Sequence, residues 1–169
     1  MKIRKTQAED LDIVLEIYAQ ARDFMRETGN PTQWGDTWPP QELIQADIQQ
    51  QKSYVCVKDI EEKSGGTTEK ILGVFFLEVA EDPTYAEIYQ GSWLEENRPY
   101  GVVHRIASLG QGAGGFCLEW ALAECGNIRI DTHEANLPMR SLLKKLGYTY
   151  CGMIYTHDGT PRLAYQKTR

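Results

Sequence analysis

Residues 104–125 read HRIASLGQGAGGFCLEWALAEC, with glycine at positions 110, 112, 114 and 115. The run before the glycines, VVHRIAS, has the pattern of a strand. The run after them, GFCLEWALAEC, has that of a helix. A helix start leaves several backbone N–H groups without partners, and their dipoles sum to roughly half a positive charge. Glycine lets the chain turn sharply there and lets a ligand reach the backbone. Strand, glycine-rich turn and helix together make an anion pocket suited to phosphate. A tight turn without a ligand is the plainer alternative, but it does not need so many glycines.

Outward from this corner the chain parses into alternating elements. Met1–Lys5 reads as a short strand with Ile3 inward. Thr6 and Glu9 have capping-box spacing, and a helix follows to about Gly29-Asn30. Residues 31–40 form a loop carrying Trp34 and Trp38. A second helix starts after Pro40 and covers Gln41–Gln50. Strands at Ser53–Asp59 and Ile71–Val79 flank the polar turn EEKSGGTTE. Tyr85–Tyr89 reads as a short strand and Tyr100–Ser108 as a firmer one. Gly126-Asn127 ends the helix after the glycines. Ile128–Asp131 is a strand, Asn136–Leu146 a helix, and Tyr148–Tyr155 and Leu163–Gln166 a hairpin around Asp158-Gly159. The order predicts a mixed α/β (α+β) sheet with helices on its faces, one domain over residues 1–169.

Composition narrows the function classes. The 169 residues suffice for one substantial core. A net charge of −6 argues against a general nucleic-acid binder. No run approaches the roughly 18 apolar residues of a membrane span, and MKIRKTQAEDL lacks an apolar signal core. Cys56, Cys117, Cys125 and Cys151 form no CxxC pair. They read as reduced thiols, which fits a cytoplasmic protein.

Two parses of the loop compete. Gly110-x-Gly112-x-x-Gly115, with Asp131 downstream, matches a dinucleotide fingerprint. Against it, the preceding strand carries His104 and Arg105, and too little chain follows for the second half of that fold. An NAD- or FAD-dependent oxidoreductase therefore ranks last. The other parse is Leu109-x-x-Gly112-x-Gly114, followed by Asn136-Leu137-Pro138-Met139 and Leu146-Gly147-Tyr148. In this form and element order the chain resembles the GNAT superfamily of acyl-CoA-dependent N-acyltransferases over nearly its whole length. The resemblance implies acetyl-CoA as co-substrate, without a metal. It places the coenzyme on Arg105, Ile106, Ala107, Leu109, Gly110, Gln111, Gly112, Ala113, Gly114 and Gly115, with Asn136, Met139 and Lys145 as further contacts. Two positions depart from the family pattern. Leu109 stands where the family has Arg or Gln, and Leu143 where many members carry the tyrosine that protonates the departing thiolate.

The reaction so implied is direct transfer of an acetyl group to a primary amine of a small molecule or peptide. A protonated amine cannot attack, so a base is needed. The base candidates are His104, His133 and Glu134, each with an ordinary packing, surface or capping role as its alternative. Asp131 has the position to orient a histidine. Tyr155 is a weaker candidate for the missing acid, and Cys151 a weaker one still for a nucleophile. Lys144 and Lys145 offer charge for the adenosine phosphate, or simply a solvated helix face. Trp34, Trp38, Trp93, Tyr85 and Tyr89 are candidates for the acceptor wall or for core packing. The acidic balance favours cationic acceptors. A non-catalytic acyl-CoA-binding or sensing module is the alternative function. Oligomeric state stays open, with a two-fold homodimer the commonest default.

Overall fold

The computed structural model describes residues 1–169. In chain order the elements are β1 (Lys2–Lys5), α1 (Leu11–Glu27), α2 (Gln41–Gln49), β2 (Ser53–Glu61) and β3 (Thr67–Val79). They continue with β4 (Gly101–Ser108), α3 (Ala113–Cys125), β5 (Asn127–Thr132), α4 (Leu137–Lys145), β6 (Thr149–Tyr155) and β7 (Pro161–Thr168). The strands form one seven-stranded sheet in the order β1-β2-β3-β4-β5-β7-β6. All neighbours are antiparallel except β4 and β5.

Strand alternation assigns the two faces. Val55, Val57, Ile71 and Val74 pack with Val14, Ile17 and Tyr18 of α1 and with Ile44 and Ile48 of α2. Cys56, Leu72, Phe75 and Leu77 point the other way, onto Cys117, Leu118, Ala121 and Leu122 of α3 and Leu143 of α4. Each fully buried aliphatic side chain contributes about 1.5–3 kcal/mol, so the two helical layers are held mainly by these stripes. A third cluster of Tyr85, Trp93, Tyr100, Cys151 and Ile154 lies under the 80–100 segment.

Two local expectations are corrected. The Thr6–Glu9 capping box does not form. Thr6 shares a 2.7 Å hydrogen bond with the Ser53 hydroxyl. Asp10, drawn to β1 by Arg4, instead accepts the Gln7 N–H at 2.8 Å. Tyr85–Tyr89 is not a strand either. The Asp82 carboxylate accepts the Thr84 N–H at 2.8 Å and starts a short 3-10 turn, Pro83–Tyr85. An isolated bridge between Tyr89 and Met153 is the strand-like contact this segment makes.

Two features of β4 position the site. It pairs with β5 only at Gly101–Ile128 and Val102–Arg129, and beyond these the two strands separate. On its other edge, toward β3, the register slips so that Arg105 and Ile106 together oppose Phe75. This is a β-bulge, which bends the strand and re-aims its backbone.

Candidate active site

Where β4 and β5 part, a cavity of about 860 Å³ opens. Its floor is Val102–Ile106 of β4 and Ile130–Thr132 of β5. Trp34, Trp38 and Leu43 line it, as do Glu78, residues 80–84, and Thr156, His157, Asp158 and Arg162 of the β6–β7 hairpin. Asn136 and Met139, at the start of α4, complete the wall.

The glycine loop lies just beyond the end of β4. Leu109 donates its N–H to the Leu72 carbonyl at 2.8 Å, the last tie to the sheet. Gly110, Gln111 and Gly112 then take three consecutive left-handed conformations, with φ of 82°, 56° and 78°. This run turns the chain into α3. The N–H groups of Gly110, Gln111, Gly112, Gly114 and Gly115 have no hydrogen-bond partner in the protein. A Cβ built on Gly110 or Gly112 would meet nothing within 4 Å, so the loop's outer face is open. Adjacent free amides at a helix start fit a diphosphate. Leu109 brings no charge to the loop, and its side chain packs toward the α1–α2 layer.

His104 sits on the cavity floor between two carboxylates. Its Nε2 is 2.7 Å from Asp82 Oδ2, and its Nδ1 is 4.0 Å from Asp131 Oδ1. Burial alone would raise the Asp82 carboxyl, but hydrogen bonds from His104 and Thr84 outweigh it and hold the pKa at about 2. An ionised carboxylate only accepts, so in the neutral imidazole the proton is on Nε2 and the lone pair on Nδ1. The Tyr85 hydroxyl donates to Asp131 Oδ1 at 2.6 Å. Burial and then Asp131 push the Tyr85 pKa well up, so it stays a donor.

Arg105 beside it is clamped. Its Nε and Nη2 donate to the two Asp47 oxygens at 2.9 and 3.1 Å, and its carbonyl accepts the Tyr18 hydroxyl at 2.7 Å. Burial raises the Asp47 carboxyl, against the pull of Arg105.

The other candidates fall elsewhere. His133 and Glu134 do not line the cavity. His133 Nδ1 accepts the Ala135 N–H at 3.0 Å, and the Glu134 carbonyl accepts Arg140 Nη1 at 2.8 Å, so both belong to the turn entering α4. Burial and then Arg162 lower the His133 pKa. Asn136 caps α4 by accepting the Met139 N–H at 3.2 Å, and its amide donates to Gln33 at 3.0 Å. Lys144 and Lys145 are exposed at the end of α4. Leu143 is fully buried under α3, so a hydroxyl at that position would lie in apolar core. Of the five aromatic candidates, Trp34 and Trp38 line the cavity. Tyr85 and Trp93 are core, and Tyr89 packs edge-on against Tyr155 at 5.3 Å. Cys151 is buried in the same third cluster. No group of three His, Cys, Asp or Glu side chains is arranged to hold a metal ion, and no helix is long and apolar enough to cross a membrane.

Sequence reasoning did not single out Asp82, Asp47, Tyr18, His157 or Arg162. Asp82 lies 22 residues from His104, and Asp47 and Tyr18 lie 58 and 87 residues from Arg105. Pairings so distant carry no local periodicity.

A GNAT-family acetyltransferase from Streptococcus agalactiae superposes with a TM-score of 0.84 at 31% identity, over 99% of this chain and 95% of that one. The chain belongs to the GNAT acetyltransferase family. Lower in identity, this GNAT protein shares its fold with a ribosomal-protein-alanine N-acetyltransferase from Brucella melitensis (16% identity, TM-score 0.62, 100% of both chains). It also shares it with a GNAT superfamily phosphinothricin acetyltransferase from Sinorhizobium meliloti, solved in complex with AcCoA (14% identity, TM-score 0.60, 99% and 87% covered). No protein-family model and no curated protein matches the chain. The dinucleotide parse of the glycine loop fails on topology, since only one strand pair of this GNAT sheet is parallel.

Proposed function

We propose that this GNAT protein transfers an acetyl group from acetyl-CoA to a primary amine of a small cationic molecule or a peptide, by direct attack on the thioester. The observation that carries the reading is the open slot between β4 and β5. His104 lines that slot, and five free loop amides follow the end of the same strand, β4. The amides of the 110–115 loop hold the diphosphate, and Lys145, exposed at the end of α4, offers charge for the adenosine phosphate. The backbone of Arg105–Ala107 faces the thioester carbonyl and stabilises the charge that develops on its oxygen.

His104 Nδ1 takes the proton from the incoming ammonium, and Asp82 supports the imidazolium that results. Asp131, on the lone-pair side, holds the ammonium before transfer. The amine nitrogen then bonds to the carbonyl carbon, and the carbon–sulfur bond breaks. The nitrogen's second proton passes to the departing thiolate, directly or through water, so that the products are the amide and the free coenzyme thiol. A thiol has an ordinary pKa of about 8.5, so its anion leaves without a strong acid. The buried Leu143 is therefore compatible with turnover.

The walls favour a cationic acceptor. Glu78, Glu81, Asp82, Asp131 and Asp158 line the cavity against Arg105 and Arg162, with Trp34 and Trp38 as apolar surface. Cations are drawn to such a cleft, and aromatic faces add to the attraction.

Thiol release from acetyl-CoA against an amine panel tests the reading. Diamines and cationic peptides should support release, and acidic amines should not. Coenzyme binding without turnover on any amine would select the sensing module, the reading that the replacement of the usual tyrosine by Leu143 favours.

A further inference from the structure

Arg105 has φ of 49°, in the left-handed region that L-residues avoid. Holding a non-glycine residue there is unfavourable, and it persists only where surrounding contacts fix it. Glycine would bend β4 without that strain. The arginine side chain is instead an anchor. Both oxygens of Asp47 from α2 accept from its guanidinium, which also lies 4.5 Å over the Phe76 ring. The Tyr18 hydroxyl from α1 fixes its carbonyl. Asp47 is 5% exposed and Tyr18 2% exposed, so neither touches the cavity solvent freely. Two helices on one face of the sheet thus pin a single residue of the bulge at side chain and backbone. The strand edge beyond this residue is the one that has left β5.

We propose that Tyr18 and Asp47 are positioning residues for acetyl transfer: they lock Arg105 in the left-handed conformation that aims the bulge backbone at the thioester carbonyl. The proposal rests on the acetyl-transfer reading. It predicts a specific separation of effects. The coenzyme's diphosphate is gripped by the loop, which these residues do not touch. Losing either anchor therefore costs turnover and spares coenzyme affinity.

The test compares Tyr18→Phe and Asp47→Asn with wild type, well below their melting temperatures. It measures kcat with a productive amine, and Kd for coenzyme A by calorimetry. A small misplacement of reacting groups costs on the order of tenfold to a hundredfold in rate, and that fall in kcat is expected with Kd within about twofold. Tyr18→Phe deletes one oxygen, so it stands even if Asp47→Asn folds poorly. Adding Arg105→Gly to Asp47→Asn should restore part of kcat, since glycine adopts the positive φ freely and the orphaned guanidinium is gone. Unchanged kcat in Tyr18→Phe, coenzyme affinity lost in parallel with kcat, or no rescue by glycine would each overturn the positioning role while leaving the acetyltransferase reading intact. A wild type that binds coenzyme A and turns over no amine overturns both.

Discussion

The Asp82–His104 contact ties chemistry to stability at one pair of side chains. Replacing His104 by Gln removes the Nδ1 lone pair while keeping the side chain polar. General-base catalysis contributes about 10²–10⁴-fold, so kcat should fall within that range with coenzyme affinity unchanged, as steady-state kinetics and calorimetry would show. Asp82 makes a second prediction. Its carboxyl is depressed from the ordinary 3.8 to about 2 in the folded protein, so the folded state favours the ionised form. That contribution, about 2 kcal/mol, is present above pH ~4 and is lost as the pH falls toward ~2. Denaturant titrations across this window should show the loss in wild type and a smaller one in Asp82→Asn. His104 and Arg105 were legible in the sequence because polar residues interrupt a strand leading into a glycine loop. Asp82 was not, because its segment reads only as a break in pattern.

At the scale of elements, the β4–loop–α3 corner was readable in advance. Glycine density, the strand-like run and the helical spacing all report locally on backbone conformation. Left-handed φ at 110 and 112 supplies the physical reason for those two glycines, and at Gly114 a Cβ would stand 3.2 Å from the Ser108 hydroxyl oxygen. Gly112→Asp should fold, because aspartate tolerates left-handed φ better than most residues and nothing lies within 4 Å of the new Cβ. Its carboxylate would face the diphosphate, so coenzyme binding should vanish in calorimetry while circular dichroism stays native. Leu143→Tyr tests α4. Overpacking a full core typically costs about 1–3 kcal/mol, so the variant should melt lower and gain no turnover. The bulge in β4 and the parting of β4 from β5 were beyond sequence reading. Both depend on register against strands far along the chain, whereas the 85–89 segment was misread as a strand for a local reason, the Asp82 cap that starts the 3-10 turn.

For the whole molecule, the order of elements was sufficient to expect a mixed sheet covered on both faces, and the structure has it. How β4 parts from β5 was not legible, since its bulge is pinned by two helices on one face of the sheet, Tyr18 of α1 and Asp47 of α2. The acidic balance of the chain also takes on a location here. Five of its carboxylates line one cavity, so the KM for a diamine should rise as ionic strength goes from about 50 to about 500 mM, where screening shortens the field. The most direct test of the account is to incubate the purified protein with acetyl-CoA and a diamine and to follow the amine by mass spectrometry. The account predicts a singly acetylated diamine that forms with wild type and is absent with Gly112→Asp. Folded wild-type protein that binds coenzyme A in calorimetry yet leaves every cationic amine unmodified would contradict it.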